Sequence, residues 1–472
     1  MTMLGGIIAL WASLKYYYTK AGKWNIVALL SFFVALMSKE NAITFLAVVP
    51  LMYLLFKRKS LVNSLKFLWP FMVSTIVFLG IRTAVLGMDF GGSSMELMNN
   101  PFLKISNGAW VPFSGAEKMA TILFTLGKYV WLMIFPHPLS HDYYPRAVEI
   151  MNFSDWQVLL SLATYMVMLF ATIFFCKKDK YISFGILFFI ITLSIVSNIV
   201  FPIGTNMSER FMFMPSLGLL LVVARLLTKY IKNETLLLVI TGLILAGLSY
   251  KTVTRNKVWE EDFVLFNTDV KTNGRSAKLL NAAGGSLTTK TASMANGPEK
   301  DKMLTDAIGY LNEAINIHPT YKNAYLLWGN AHYYKKNFEQ SIQTYEKVLR
   351  LYPNYPDAQK NLPIVLRDAG KHFGQQMNDI TKSEQFLTRS YELSPGDAET
   401  LRLLGIVNGI KGDHNKALFY FEKAQALTPN SAMSYVNLGT AYKNLGDAVK
   451  AADNYNKALS IDPKALDGIQ GN

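Results

Sequence analysis

The chain has 472 residues, of which 51% are hydrophobic and 17% charged, and it carries a net charge of +14. The apolar residues crowd into the first half and many basic ones sit in short loops between them, which excludes a simple soluble domain. The same distribution argues against a nucleic-acid surface, where a basic helix interleaved with aromatics is expected, and the single cysteine, Cys176, excludes an internal disulfide or a cysteine-built zinc site.

Met1 opens directly into an apolar run with no charged region ahead of it, so the layout of a cleaved signal peptide is missing. Segments 3–18, 24–38, 41–56, 65–86, 156–176, 181–203, 210–228 and 235–250 are predicted to be membrane helices, about eight crossings. The basic clusters Lys15/Lys20/Lys23, Lys57/Arg58/Lys59, Lys177/Lys178/Lys180 and Lys229/Lys232 then all fall on the cytoplasmic side by the positive-inside rule. A ninth apolar stretch, 117–135, would put these clusters on opposite sides if it crossed. With Lys118 and Lys128 on it and Pro136 behind it, it is expected to be an interfacial helix instead. In that layout the loops 38–40, 87–155 and 204–209, and everything beyond the last crossing, face the non-cytoplasmic side.

Ionisable residues at the ends of membrane helices are costly to bury, and three clusters of them share this face. They are Ser38-Lys39-Glu40-Asn41, the loop His137–Pro145 with His141-Asp142 at its centre, and Asn206–Ser216 with Glu209-Arg210; Arg82 joins them from its own helix end. Taken singly, Lys39/Glu40 and Glu209/Arg210 read as snorkelling or mutually paired corners. Three together read as a polar cavity at the membrane surface, where Arg and Lys suit a phosphate group. His141 beside Asp142 fits an oriented imidazole that binds phosphate, metal or a proton, and equally a residue that structures its loop. No metal-ligand spacing, phosphate-cradling glycine loop or serine-nucleophile elbow is present.

Residues 251–275 are expected to form a connecting helix, with Arg255–Phe263 joining the halves and Glu260-Glu261-Asp262 reading as a helix start. From 276 to 472 the apolar residues recur with the period of tetratricopeptide repeats (TPRs), giving about four to five units of an α-solenoid. The clearest, 432–465, carries Tyr435, Leu438-Gly439, Tyr442, Ala451, Tyr455, Ala458 and Pro463; 398–431 and 322–355 align with it. The intervening 356–397 has extra residues, placed around Lys371–Asp379, and the first unit has a mobile Thr288–Lys300 connection. The fold class is therefore all-α: a membrane-embedded helical domain over 1–250 followed by a solenoid whose concave face would bind protein.

Ser38-Lys39-Glu40, Asn100-Pro101, Leu139–Tyr143 and Glu209-Arg210 running into Met214-Pro215-Ser216-Leu217-Gly218 occur in that order before the repeats. This arrangement resembles the transmembrane and TPR O-mannosyltransferases and their bacterial relatives, membrane glycosyltransferases of the GT-C superfamily. The resemblance implies transfer of a sugar from a polyprenyl-phosphate-linked donor to a protein acceptor recruited by the repeats. It places the reaction on the periplasmic side of a bacterial inner membrane, or on the lumenal side of the endoplasmic reticulum in a eukaryote. No other cofactor and no divalent metal is implied. Lys39, Arg82, His141 and Arg210 would hold the lipid phosphate or shape its cavity, with Glu40, Asp142 and Glu209 beside them. The superfamily's catalytic acid lies in its first long non-cytoplasmic loop, whereas loop 15–24 here has no acidic residue. The family's N-terminal helices, and the acid with them, are expected to lie outside this sequence, and no catalytic base is assigned. Two other functions fit the same residues: a non-catalytic membrane-anchored TPR scaffold, and a ligase or polymerase of lipid-linked glycans.

Overall fold

A computed structural model describes residues 1–87, 95–200 and 202–467. The chain divides into two compact units, Met1–Leu280 and Asn281–Asn472. The first holds α1 (Thr2–Thr19), α2 (Lys23–Ser38), α3 (Phe45–Lys57, entered through a 3-10 turn at Glu40–Thr44), α4 (Leu61–Leu65) and α5 (Trp69–Leu86). A hairpin of β1 (Leu103–Ser106) and β2 (Ala109–Pro112) leads to α6 (Gly115–Ile134), α7 (Trp156–Phe175) and α8 (Lys180–Ser194). Then come α9 (Phe213–Tyr230, preceded by the 3-10 turn Glu209–Met212), α10 (Glu234–Val258) and α11 (Asp262–Thr272).

The fold is all-α as expected, interrupted by one short hairpin whose cause is local. Asn107 and Gly108 both take positive φ, 51° and 78°, which is the two-residue turn that matches strand twist. Leu103 pairs with Pro112 and Ser106 with Ala109.

Among the described residues, five segments are long and apolar enough to cross a membrane: Glu40–Lys57, Leu61–Leu86, Trp156–Phe175, Glu209–Tyr230 and Glu234–Val258. Lys23–Ser38 and Lys180–Ser194 are apolar but shorter. The predicted segment 181–203 is cut back because α8 stops at Ser194; Asn198 then takes a φ of 63°, and its side-chain amide holds the Thr205 and Asn206 carbonyls at 2.9 and 3.2 Å. The last apolar helix is longer than predicted. It runs on through Arg255, so the expected connecting helix is in part the end of α10 and in part α11, broken at Trp259.

The helix ends sort into two groups. At one end Lys57 donates to the Tyr18 hydroxyl, Phe56 lies 5.2 Å from Tyr181, and Asp179 accepts from Arg225 at 2.9 Å and Lys229 at 3.4 Å. These contacts gather the basic clusters. At the other end Glu40 meets Arg82, Lys39 lies over Phe211, and Glu209 reaches Ser140 and Tyr143. The first half of α6 packs on Met151 and Val158, while Tyr129 accepts from the Ser208 amide at 3.0 Å and Lys128 lies 4.9 Å from the Tyr143 ring.

α12 (Ala277–Ala292) crosses the division between the units and pairs with α13 (Pro298–Ile317). The pairs α14 (Lys322–Tyr334) with α15 (Phe338–Leu351), α16 (Pro356–Gln375) with α17 (Ile380–Leu393), α18 (Ala398–Ile410) with α19 (His414–Leu427), and α20 (Ala432–Asn444) with α21 (Ala448–Ile461) follow. The expected Thr288–Lys300 connection shrinks to Ser293–Gly297. Thr288 and Thr291 return their hydroxyls to carbonyls of their own helix at 2.8 and 2.7 Å, which keeps α12 helical to Ala292.

A small residue on each first helix lets the second approach. A Cβ on Gly405 would fall 2.4 Å from the Phe421 ring, and one on Gly439 would fall 2.6 Å from Tyr455. The same contact locates the insertion. In α16 the glycine facing the second helix is Gly370, against Leu387, and Ser383 donates to its carbonyl at 2.7 Å, as Ser341 does to Gly329 at 2.8 Å. The extra residues therefore lengthen the start of α16, ahead of Gly370, and do not form a bulge around Lys371–Asp379.

Candidate functional site

The seven sequence-derived candidates lie at one end of the first unit but separate into two arrangements. The first is an open cavity of about 490 Å³ between the ends of α2 and α5. Leu36, Met37, Phe78, Ile81, Val85 and Leu86 form its apolar wall, and Lys39, Glu40 and Arg82 its polar rim. Arg82 Nε donates to Glu40 Oε2 at 3.2 Å, with the side chains 34% and 61% exposed, so the pair contributes only about 0–1 kcal/mol to stability. Lys39 and Arg210 flank the Phe211 ring at 5.6 and 5.7 Å. Burial, and then the Arg210 charge, lower the Lys39 ammonium from its ordinary value. Among the described residues, neither cation is paired with a carboxylate.

The second arrangement is a closed hub around the loop between α6 and α7. Asp269, on the buried face of α11, is 1% exposed and accepts a two-pronged hydrogen bond from Arg255, at 2.6 and 2.8 Å. It also accepts from the His141 backbone amide at 2.8 Å and faces His141 Nδ1 at 3.0 Å. Burial pushes the Asp269 carboxyl up, but the bonds from Arg255 and His141 outweigh it and hold it at about 2. An ionised carboxylate only accepts, so His141 Nδ1 carries the proton.

The carboxylate that orients His141 is thus Asp269, not the adjacent Asp142. Asp142 serves its loop: its Oδ1 accepts from the Tyr144 amide at 2.7 Å, and its carbonyl accepts from Ser140 and Asn273 at 2.9 and 2.7 Å. Glu209 accepts from the Ser140 amide at 2.7 Å and the Tyr143 hydroxyl at 2.6 Å. Burial, then the Glu209 charge, push the Tyr143 hydroxyl up, so it remains a donor. Asn273 and Ser276, between α11 and α12, complete the clasp; Ser276 donates to the Tyr144 carbonyl at 2.7 Å.

Sequence reasoning missed Asp269, Asn273 and Ser276, and gave Arg255 only a linking role. One signal was present. Asp269 stands four residues after Leu265 and beside Val270, on the stripe that α11 buries, and an acid there demands a partner. The Pro215-Ser216-Leu217-Gly218 string also acquires a packing role. A Cβ on Gly218 would lie 2.3 Å from the Gly185 carbonyl and 2.7 Å from the Phe189 amide, so α8 and α9 touch backbone to backbone.

Tetratricopeptide-repeat profiles match residues 432–465 and 323–355. Protein O-mannosyl-transferase TMTC3 of Mus musculus is 23% identical over 417 residues, which covers 86% of this chain and 40% of that protein. The chain is a distant relative of the TMTC O-mannosyl-transferases. TMTC3 of Homo sapiens is likewise 23% identical, over 86% of this chain and 44% of its own length, and TMTC1 of Mus musculus is 26% identical over 46% of this chain. The chain therefore spans about two fifths of the length of the TMTC3 proteins it matches. Among solved structures, YrrB, described as a TPR protein with an unusual peptide-binding site, is similar to 43% of the chain at 21% identity and a TM-score of 0.32.

Proposed function

We propose that the first unit binds a polyprenyl-phosphate-linked sugar and forms the donor-binding part of a membrane glycosyltransferase acting on protein acceptors. The observation that carries this reading is the cavity bounded by Lys39, Glu40 and Arg82. One wall is apolar and open, with Val85 75% and Met37 53% exposed, as a lipid chain needs. Lys39 and Arg82 both line the rim, and Arg210 lies near the same Phe211 ring as Lys39; such cations suit a phosphate. Similarity to the O-mannosyl-transferases over most of the chain supports the same class of reaction.

In this reading the cations act on the departing lipid phosphate. Transfer moves the anomeric carbon from phosphate oxygen to an acceptor hydroxyl, and negative charge accumulates on the leaving phosphate. Preorganised cations at that position lower the barrier. The hub around Asp269 and Glu209 holds the loop bearing His141 in place through the His141 and Ser140 amides and the Tyr143 hydroxyl. The repeats would recruit the acceptor, on the non-cytoplasmic side.

The test is equilibrium binding of a polyprenyl-phosphate mannose to the purified full chain in detergent. The double variant K39Q/R82Q should bind about 10- to 100-fold more weakly, the loss expected for two charge-assisted contacts, with an unchanged melting temperature. No binding by the parent protein, or equal binding by the variant, contradicts the assignment.

A further inference from the structure

The opposite end of the first unit carries a second concentration of charge, differently built. Lys20, Lys57 and Lys59 place their ammonium groups 5.0, 5.5 and 5.7 Å from the centre of one ring, Tyr17. That ring is fixed from behind by Tyr53 and Phe67, each 5.8 Å away. Lys57 also lies 4.3 Å from the Tyr18 ring and donates to its hydroxyl. Among the described residues, no carboxylate lies within 4.0 Å of any of the three ammonium groups. The contrast with the neighbouring corner is informative. There the same fold supplies Asp179, 1% exposed, to neutralise Arg225 and Lys229.

Attraction to aromatic faces offsets part of the repulsion among three like charges. So do the C-terminal carbonyls of α1 and α3, which end here at Lys20 and Arg58, each in left-handed backbone with φ of 56° and 49°. Two half-charges do not balance three lysines and Arg58. The corner remains cationic, with three ammonium groups gathered around one aromatic ring.

We propose that this corner binds the phosphate of an anionic membrane lipid, with Lys20, Lys57 and Lys59 as its ligands. Lysine suits this role as a flexible point charge that accepts phosphate in several orientations. The lipid is the expected source because apolar surface adjoins the charge. Leu61 and Val62, directly after the Lys57–Lys59 run, are 56% and 70% exposed, and acyl chains can lie against them. The proposal rests on the reading that these helices sit in a bilayer, but not on the donor cavity, which is at the other end.

The test compares the full chain in neutral detergent with added phosphatidylglycerol, phosphatidylcholine or inorganic phosphate, reading retained lipid by native mass spectrometry and the melting temperature. Phosphatidylglycerol should be retained and should raise the melting temperature, while phosphatidylcholine and phosphate at equal concentration should not. The variant K20Q/K57Q/K59Q should bind phosphatidylglycerol about 100-fold more weakly, and K59Q alone, which perturbs the fold least, about fivefold. The charge-retaining K20R/K57R/K59R should bind like the parent. Equal retention of phosphatidylcholine, parent-like binding by the glutamine variants, or a full thermal shift with phosphate alone overturns the proposal. Donor binding by K20Q/K57Q/K59Q should be unchanged, which separates failure here from failure of the donor assignment.

Discussion

Replacing Asp269 with Ala should lower the stability of the first unit by about 3–5 kcal/mol, the usual cost of removing one partner from a buried ion pair. The carboxylate is 1% exposed and Arg255 is 14% exposed, so most of the stranded Arg255 side chain stays out of water. The His141 amide loses its acceptor in the same step. Asp269→Asn should recover only part of the loss, because the amide presents one acceptor oxygen where the carboxylate presents two. Urea unfolding of the full chain in detergent measures both variants. The pH dependence follows from a carboxyl held at about 2 when folded and about 3.9 when unfolded. Its contribution is complete above about pH 4 and disappears as the pH falls through about 2. The curves for the parent and D269A should therefore be separated above pH 4 and converge at the acid end.

The second large effect belongs to Gly218. In Gly218→Ala the new methyl would meet two backbone atoms, the Gly185 carbonyl oxygen and the Phe189 nitrogen, and neither can rotate away. α8 and α9 must separate along their shared length. Such overpacking costs about 1–3 kcal/mol, and the rigid neighbours place this site at the upper end. Gly242→Ala is the control: no atom outside its own helix turn lies within 4 Å of the added methyl, so it should be no less stable than the parent. Membrane helices that pack through small residues behave in this way, because lipid supplies no hydrophobic force to hold a loosened pair together.

The sequence made legible what repeats or is long. The 3.6-residue apolar runs and the 34-residue period carry the helices and the solenoid, and Gly405 and Gly439 fall where the repeat spacing expects them. What it hid depends on partners distant in the chain. Glu40 and Arg82 are 42 residues apart, and His141 and Asp269 are 128 apart; no local pattern joins either pair. His141-Asp142 misled for a geometric reason. Each side chain has another partner: His141 faces Asp269, and Asp142 accepts from the Tyr144 amide. The hairpin was readable in principle, since Asn107-Gly108 between short apolar strands is a strong turn signal, but it was submerged in a long polar loop. The insertion in 356–397 was misplaced because Pro363 sits where the repeat normally has a small residue, and only the contact of Gly370 with Leu387 reveals the shifted register.

Donor binding at the Lys39–Arg82 cavity requires the two ends of the first unit to lie on opposite sides of a bilayer, with the cavity away from the basic clusters. Single cysteines at Ser60→Cys, Ser154→Cys and Lys443→Cys, each in a Cys176→Ser background, can be labelled in sealed vesicles with a membrane-impermeant maleimide. Ser154→Cys and Lys443→Cys should react from one side and Ser60→Cys only from the other. Labelling of Ser60→Cys and Ser154→Cys from the same side would contradict the account.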